Sequence, residues 1–159
     1  RFANGYNCAQ AVLVAFAPDL GIDADLALRV ACGFGRGIAR RQEIRRRYQE
    51  ALADRAGVAF GPDGPEDNAW LTCITIVPAA TGVDREAVRR YLEGHDIESR
   101  PLWKPMHRQP VFAACPARVD GTSEGLFAIG LCLPSGSGMT DDEQTRVLAA
   151  LDEVLLPAP

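Results

Sequence analysis

A single lysine, Lys104, limits the covalent chemistry that this chain can perform. The other 16 of its 17 basic residues are arginines, so a mechanism that needs a lysine nucleophile must use Lys104 or borrow a lysine from another chain. A reactive lysine needs a rigid pocket that excludes water. Lys104 lies instead between Trp103 and Pro105, in a proline-punctuated stretch that cannot be regular structure. We therefore do not expect it to be a catalytic nucleophile.

The two histidines and five cysteines do not form a metal-ligand pattern. His95 has no second ligand nearby, His107 shares its neighbourhood only with Cys115, and no CxxC occurs, so no metal site is expected. Because the cysteines are odd in number and widely spaced, a disulfide framework is not expected either, and reduced thiols in the cytoplasm are the simplest interpretation. Apolar neighbours indicate small buried side chains at Cys32, Cys73 and Cys132.

Glycine-rich and arginine-rich segments suggest nucleotide or nucleic-acid binding, but neither has the required pattern. The segment PSGSG at 134–138 lacks the spacing and lysine of a P-loop and is interpreted as a structural link. The glycines at 33–37 follow a helix rather than a strand, so they are not a dinucleotide fingerprint. Within the basic run 40–47, the i,i+4 pair Glu43–Arg47 is typical of a solvated helix face. With a net charge of −4, no nucleic-acid partner is expected.

The composition is that of one soluble globular domain. The 159 residues suffice for a hydrophobic core, and 47% of them are hydrophobic and 24% charged. No apolar run approaches the roughly 18–20 residues that a membrane span needs, so no membrane partner is expected. The chain opens at Arg1 without a secretory signal, which we interpret as a fragment or a missing true start.

Two short helices are predicted before residue 40. Apolar residues at spacings of three and four between Tyr6 and Leu20 predict the first. Asp23 caps the second, which the glycines at 33, 35 and 37 are expected to end. A separate charged helix is predicted to follow from about Arg40, with an apolar face formed by Ile44, Tyr48 and Leu52.

From residue 41 the predicted order is helix, strand, strand, helix, strand, loop, helix, strand, helix. Val58–Phe60 is predicted as a short strand, and Trp70–Val77, rich in β-branched and aromatic residues, as a central one. Asp84 caps the next helix, and Thr140 forms a capping box with Glu143 for the last. This order predicts an α/β fold with helices packed on a small mixed sheet.

Two segments carry a family resemblance. The segment ESRPLWKPMHRQPVF at 98–112, followed by GLCLPSGSGMTDDEQ at 130–144, resembles the C-terminal small domain of DegT/StrS-type nucleotide-sugar aminotransferases, which depend on pyridoxal phosphate (PLP). The shared patterns are IExRPxWKPxHxQPxF and LPSGxxLT, and the resemblance covers about 41–156. One departure is Arg108, where the family more often has leucine.

The resemblance implies an intact PLP enzyme that moves an amino group, with glutamate the expected donor, onto a keto-sugar nucleotide. The family carries the aldimine lysine, the acid at the pyridinium nitrogen and the phosphate cradle on a large domain that is absent here. This chain alone is therefore expected to bind no PLP, to have no catalytic residue and to lack activity. The family places the 98–112 loop at the mouth of the active site, which makes substrate-binding candidates of Arg100, Trp103, Lys104, His107 and Gln109.

These residue types suit a nucleotide sugar. Arginine and lysine bind a diphosphate, tryptophan stacks on a ring, and histidine and glutamine bond to hydroxyl groups. The alternative is that Trp103 and the prolines merely fix a surface loop, because loop residues bind only when a scaffold positions them.

The first forty residues resemble a different family. FANGYNCAQAVLVAF, followed by GFGRGIAR, is similar to the opening of C-GCAxxG-C-C proteins, which are small helical proteins suspected of redox or metal chemistry, and Cys8 is the matching cysteine. This predicts a helical segment at 1–39 and an aminotransferase-like small domain at 40–159. We interpret the chain as a chimera joined near Ala39–Arg41.

Two other functions stay open. A non-enzymatic binding or assembly module would keep the fold and pair with a partner, for example as a homodimer through apolar surface that a large domain would otherwise cover. A thiol redox or metal protein would centre on Cys8.

Overall fold

The computed structural model describes residues 8–62, 64 and 67–155, and their side chains except those of 8–11 and 29–36. Helices α1 (Cys8–Phe16) and α2 (Ala24–Leu52) are followed by strands β1 (Val58–Phe60) and β2 (Thr72–Ile76). Next come α3 (Pro78–Thr81), α4 (Arg85–Glu93) and β3 (Arg100–Pro101). Two 3₁₀ turns, Met106–Arg108 and Pro110–Phe112, precede α5 (Thr122–Ile129), β4 (Gly130–Leu133) and α6 (Asp141–Val154).

The four strands form one sheet in the order β1-β2-β4-β3. All three pairings are antiparallel. The predicted α/β class is confirmed, but the prediction of a mixed sheet is wrong, because neighbouring strands are antiparallel throughout the sheet. Strands β2 and β3 run in the same direction, and the connection between them through α3 and α4 crosses over, so that β4 later pairs between the two.

One face of the sheet packs against α2, α4 and α6 to form the core. Along β2 the side chains alternate, so Ile74 and Ile76 are buried in the core while Cys73 and Thr75 lie on the other face. The apolar residues predicted for the helices take part in this core, among them Ile44, Tyr48, Leu52, Val88, Leu92, Val147 and Leu151. The core therefore joins the helix before the first strand to the last helix.

The prediction that glycines end the second helix at 33–37 is wrong. Helix α2 runs without a break from Ala24 to Leu52, and Asp23 caps it as predicted by accepting a hydrogen bond from the Leu26 N–H (3.2 Å). A glycine inside a helix costs only about 1 kcal/mol relative to alanine, and the buried residues later in α2, such as Tyr48, outweigh that cost. The two sides of residue 40 thus share one helix, and the division into two parts there stays a prediction.

The capping box predicted for α6 is confirmed. Thr140 Oγ1 accepts a hydrogen bond from the Glu143 N–H (3.2 Å), and the Glu143 carboxylate accepts one from the Thr140 N–H (2.7 Å). We expect Thr140→Ala to lower the free energy of unfolding by about 1 kcal/mol, because the Glu143 N–H loses its acceptor. Chemical denaturation measures this loss. Thr140→Ser keeps the hydroxyl and should stay close to the parent; an equal loss in both variants would contradict the prediction.

Candidate functional site

The 98–112 loop starts from the edge strand of the sheet. Arg100 and Pro101 form β3, which pairs with β4. The last hydrogen bond before the chain leaves the sheet runs from the Leu102 N–H to the Gly130 carbonyl (3.2 Å). Beyond this bond the loop turns through the two 3₁₀ segments, so β3 sets where the loop begins.

An open cavity of about 940 Å³ lies beside this edge strand. Two of the five predicted binding residues, Arg100 and Trp103, line it. The other three, Lys104, His107 and Gln109, are not among its lining residues. Residues around β4 and the start of α6 complete the wall, among them Ser135, Glu143 and Arg146. The first two predicted binding residues along the chain thus line the cavity, and the three that follow Trp103 do not.

His107 and Gln109 hold the loop in place. The Nε2 atom of His107 makes a short contact with the Glu124 carboxylate on α5, and this interaction lowers the pKa of Glu124. The side-chain amide of Gln109 donates to the Lys104 carbonyl (3.0 Å). One contact ties the first 3₁₀ turn to α5 and the other closes the loop on itself. In this structure both side chains position the loop.

Arg100 faces the cavity with its charge already paired. Its Nε donates to the Glu98 carboxylate (2.8 Å), and both side chains are exposed. An exposed ion pair between neighbouring residues is weak, because water solvates both partners well when they separate. A phosphate group could replace Glu98 as the partner, since guanidinium binds phosphate through two parallel hydrogen bonds.

Trp103 stacks on a second tryptophan, Trp70, that the sequence predicts as the first residue of a strand. The two ring centroids are 6.3 Å apart with planes at 29°, and the residues are 63% and 64% exposed. Strand β2 begins only at Thr72, because the Trp70 N–H donates to Asn68 Oδ1 (2.9 Å) in a turn. Both tryptophans of the chain thus lie together at an exposed position, a feature that the spacing of motifs does not reveal.

The prediction that the basic run 40–47 is a solvated face is wrong for part of the run. Arg45 is buried and forms an ion pair with Asp67. Arg47 pairs with Asp141 on α6 (3.0 Å) rather than with Glu43. Arg45 and Arg47 therefore connect α2 to the segment around Asp67 and to the start of α6, because their charges are paired with carboxylates of the same chain.

The ion pair of Arg45 with Asp67 positions the segment that carries Trp70. Asp67 Oδ1 also accepts a hydrogen bond from the Ala69 N–H (2.9 Å), and this bond, together with Arg45, lowers the pKa of the Asp67 carboxyl. Ala69 itself is buried. Trp70 is therefore exposed on a segment that is held by the polar contacts of Asp67 and by the burial of Ala69.

The surroundings of Lys104 do not fit PLP. Its side chain is exposed and is not part of the cavity wall. An aldimine lysine needs a pocket that excludes water. No such enclosure surrounds Lys104 in the part of the chain that the structure describes, so no catalytic step is assigned to this lysine.

The PSGSG segment links β4 to α6, as predicted. The Ser135 hydroxyl accepts a hydrogen bond from the Thr72 N–H (2.9 Å) and donates to the Leu133 carbonyl (2.9 Å). Ser135 is buried, so its hydroxyl ties the start of β2 to the end of β4. This part of the cavity wall is held by the sheet itself.

Other potential ligands are dispersed or engaged. Across residues 8–62, 64 and 67–155, no group of three or more His, Cys, Asp or Glu side chains could hold a metal ion, and no helix could span a membrane. His95 Nδ1 lies 2.8 Å from the Tyr91 carbonyl. Cys132 is buried as predicted and Cys73 is partly buried. The predictions for Cys8 and Cys32 concern side chains outside the described set.

Comparisons with known sequences agree with this architecture. The profile of the DegT/DnrJ/EryC1/StrS aminotransferase family matches residues 24–152. EpsN of Bacillus subtilis (strain 168), an inferred pyridoxal phosphate-dependent aminotransferase, is 43% identical over 120 residues, which cover 72% of this chain and 30% of EpsN. The GDP-perosamine synthase of Caulobacter vibrioides is 39% identical over 72 residues, which cover 45% of this chain and 19% of the synthase.

A solved structure has the same fold. DesI, determined in the presence of its TDP-sugar product, matches with a TM-score of 0.71 and 26% identity over 83% of this chain and 35% of DesI. This chain therefore spans about a third or less of the length of these relatives. The family match begins at residue 24 rather than near 41, inside the segment that resembles C-GCAxxG-C-C proteins. That second resemblance and the junction near residue 40 stay predictions.

Proposed function

This chain belongs to the DegT/DnrJ/EryC1/StrS aminotransferase family, and on that premise we propose that it supplies the substrate-side small domain of an enzyme that aminates a nucleoside-diphosphate keto-sugar. The intact enzyme transfers an amino group from an amino acid, with glutamate the expected donor. The relatives support this substrate class, since one is named for a GDP-linked sugar and another was solved with a TDP-sugar.

The placement of Arg100 and the tryptophan pair beside one cavity carries this proposal. A guanidinium suits a diphosphate, and exposed indole rings suit a base or a sugar ring. The cavity of about 940 Å³ is within the size range of small-molecule sites. Lys104 is exposed but lies outside the cavity wall, so its role as a second ligand of the diphosphate stays a prediction.

Covalent chemistry is expected to come from sequence beyond the described residues. PLP, when bound to the intact enzyme, supplies the electron sink for amino transfer. Lys104 is the one lysine of the chain and is exposed, so the aldimine lysine is expected elsewhere in the enzyme. Alone, the chain should therefore neither form an aldimine nor transaminate, and an absorption band that borohydride abolishes would contradict this.

Replacing the matching segment of EpsN by residues 24–155 tests the substrate role. In that hybrid enzyme, Arg100→Ala or Trp103→Ala should raise KM for a nucleoside-diphosphate keto-sugar about tenfold, because each removes a ligand contact of more than about 1 kcal/mol. The kcat should stay within about twofold, since neither side chain touches the reacting amine. Steady-state kinetics with a panel of such sugars measures both constants.

A matched control makes the result specific. Val77 is 42% exposed and is not part of the cavity wall, so Val77→Ala should leave KM unchanged. Retention of pyridoxal phosphate, measured by its absorption, reports whether each hybrid is assembled. An assembled hybrid that aminates none of the sugars would contradict the proposed substrate class. An unchanged KM in both site variants would contradict the proposed roles of Arg100 and Trp103 in substrate binding.

A second candidate function is assembly without catalysis. Several large apolar side chains near the loop are exposed, among them Met106, Val111, Val119 and Leu126. Such a surface suits a large domain, a second copy of this chain or another partner. Sedimentation equilibrium that shows concentration-dependent self-association, without aminotransfer in the hybrid, would favour this function. The thiol or metal function centred on Cys8 stays a prediction, and a metal assay tests it. The cytoplasmic location also stays a prediction, which the reduced cysteines favour.

A further inference from the structure

Two cysteines face each other on the side of the sheet that the helical core does not use. Cys73 on β2 and Cys132 on β4 are register partners, and their Sγ atoms are 3.6 Å apart. Their neighbours Ile74 and Leu131 belong to the core, so the alternation of side chains along the strands places both thiols on the opposite face.

The type of pairing brings these two residues close together. The Cys73 carbonyl accepts a hydrogen bond from the Gly61 N–H (3.4 Å), so its backbone groups point toward β1 and away from β4. Cys73 and Cys132 are thus a non-hydrogen-bonded pair, in which Cα atoms are about 4.5 Å apart. A disulfide spans Cα separations of about 4.4–6.8 Å. Closure therefore requires rotation of the side chains rather than movement of the strands.

The two thiols are chemically unequal. Cys73 is partly exposed, whereas Cys132 is 8% exposed and lines the cavity. The hydrogen bond from Cys132 lowers the pKa of Cys73 to about 7, while burial opposes this shift and the charge of Arg45 adds to it. The contact with Cys73 and burial both raise the pKa of Cys132. Cys73 is therefore suited to attack an external disulfide, and Cys132 to attack the mixed disulfide that forms on Cys73.

We propose that Cys73 and Cys132 form a reversible thiol–disulfide exchange site for small organic disulfides. The Cys73 thiolate attacks one sulfur of R–S–S–R, which forms a mixed disulfide and releases R–S⁻. Cys132 then loses its proton and attacks Cys73 Sγ, which forms the Cys73–Cys132 bond and releases the second R–S⁻. The two protein thiols are oxidised, one organic disulfide is reduced to two thiols, and the protons pass to the departing thiolates or to water.

The new bond would lie in the wall of the cavity. Cys132 is also the register partner of Arg100 on β3, so oxidation ties β2 to the strand against which the loop begins. The exchange site does not rest on the function proposed above, because neither thiol belongs to the proposed substrate-binding set. A negative result for the exchange site would therefore not contradict the proposed substrate-binding function, and the reverse also holds.

Oxidised glutathione, added to the full chain, tests the proposal. Trypsin places each cysteine in its own peptide, with Cys73 in 56–85, Cys115 in 109–118 and Cys132 in 119–146. After the remaining thiols are alkylated, mass spectrometry should find 56–85 joined to 119–146 with the loss of two hydrogens. The exposed Cys115 serves as an internal standard and should carry glutathione. Modified Cys115 beside alkylated, unlinked Cys73 and Cys132 would overturn the proposal.

Single variants separate the two steps. Cys132→Ser should stop the reaction at a mixed disulfide on Cys73, and Cys73→Ser should leave the buried Cys132 unmodified. Glutathione on Cys132 in place of Cys73 would contradict the assigned order of attack. Circular dichroism checks that each variant folds, and if one does not, the linked peptide in the parent chain still decides.

The rate of Cys73 alkylation supplies a second readout. In the parent, this rate should rise with pH through a midpoint near 7, because only the thiolate reacts. Cys132→Ala removes the hydrogen-bond donor, so the midpoint should move up toward the ordinary thiol value and the rate at pH 7 should fall roughly three- to tenfold. An unchanged rate in Cys132→Ala would contradict the role of Cys73 as the attacking thiol.

Discussion

Leu151→Ala should lower the free energy of unfolding by about 3 kcal/mol. The Leu151 side chain on α6 is fully buried in the core that α2, α4 and the sheet share. Its removal deletes buried methyl groups and leaves a void that close-packed neighbours fill only in part. A domain is stable by only about 5–15 kcal/mol, so one substitution should remove a large share of that stability.

Urea denaturation followed by circular dichroism measures this effect. Leu126→Ala on α5 is the matched control, because Leu126 is 46% exposed and its truncation should cost less than about 1 kcal/mol. Comparable losses in the two variants would mean that the core is not organised around α6.

The helices and the central strand were predictable where the signal is local. Ile44, Tyr48 and Leu52 recur at four-residue spacing, and all three are buried. The cap at Thr140 was predictable because its hydrogen bonds span only three residues. For β2, the abundance of β-branched and aromatic residues identified a strand that the structure places inside the sheet.

Helix α2 and Arg45 show where local signals fail. Glycine has a small local cost, so burial elsewhere in the helix decides whether the helix continues through it. A basic residue in a charged run is usually solvated, but Arg45 finds Asp67 in a segment that only the folded chain brings near. Tertiary packing decided both the length of α2 and the burial of Arg45. Contacts between distant segments cannot be read from a short window of neighbouring residues.

The candidate site was predictable only in the part that one segment carries. The 98–112 pattern singled out Arg100 and Trp103, and both line the cavity. Trp70 comes from a different segment, and its contact with Trp103 depends on how that segment is anchored. The partnership of Cys73 with Cys132 depends on strand register, which composition and spacing do not specify.

Gly130→Ala should destabilise the chain by about 2–3 kcal/mol and disturb the loop where it begins. A Cβ at residue 130 would lie 2.6 Å from the Leu126 carbonyl oxygen and 2.6 Å from Leu102 Cγ. The Leu126 oxygen belongs to the backbone of α5, and Leu102 is held by its hydrogen bond to the Gly130 carbonyl. The Leu126 oxygen cannot give way without moving α5, and the Leu102 side chain can give way only by changing its rotamer next to Trp103.

The same substitution tests whether the site is preformed. Leu102 precedes Trp103, so its displacement should alter the stacking on Trp70 and hence the tryptophan fluorescence of the folded protein. Gly125→Ala is the control, because a Cβ at residue 125 would meet no atom within 4 Å and alanine should stabilise α5 by up to about 1 kcal/mol. Adding Leu102→Ala to Gly130→Ala should restore only part of the stability, since the contact with the Leu126 oxygen remains. If Gly130→Ala has the stability and fluorescence of the parent, the loop is not anchored at this point. A cavity wall that contains Trp103 would then form only when a ligand or a second domain orders it.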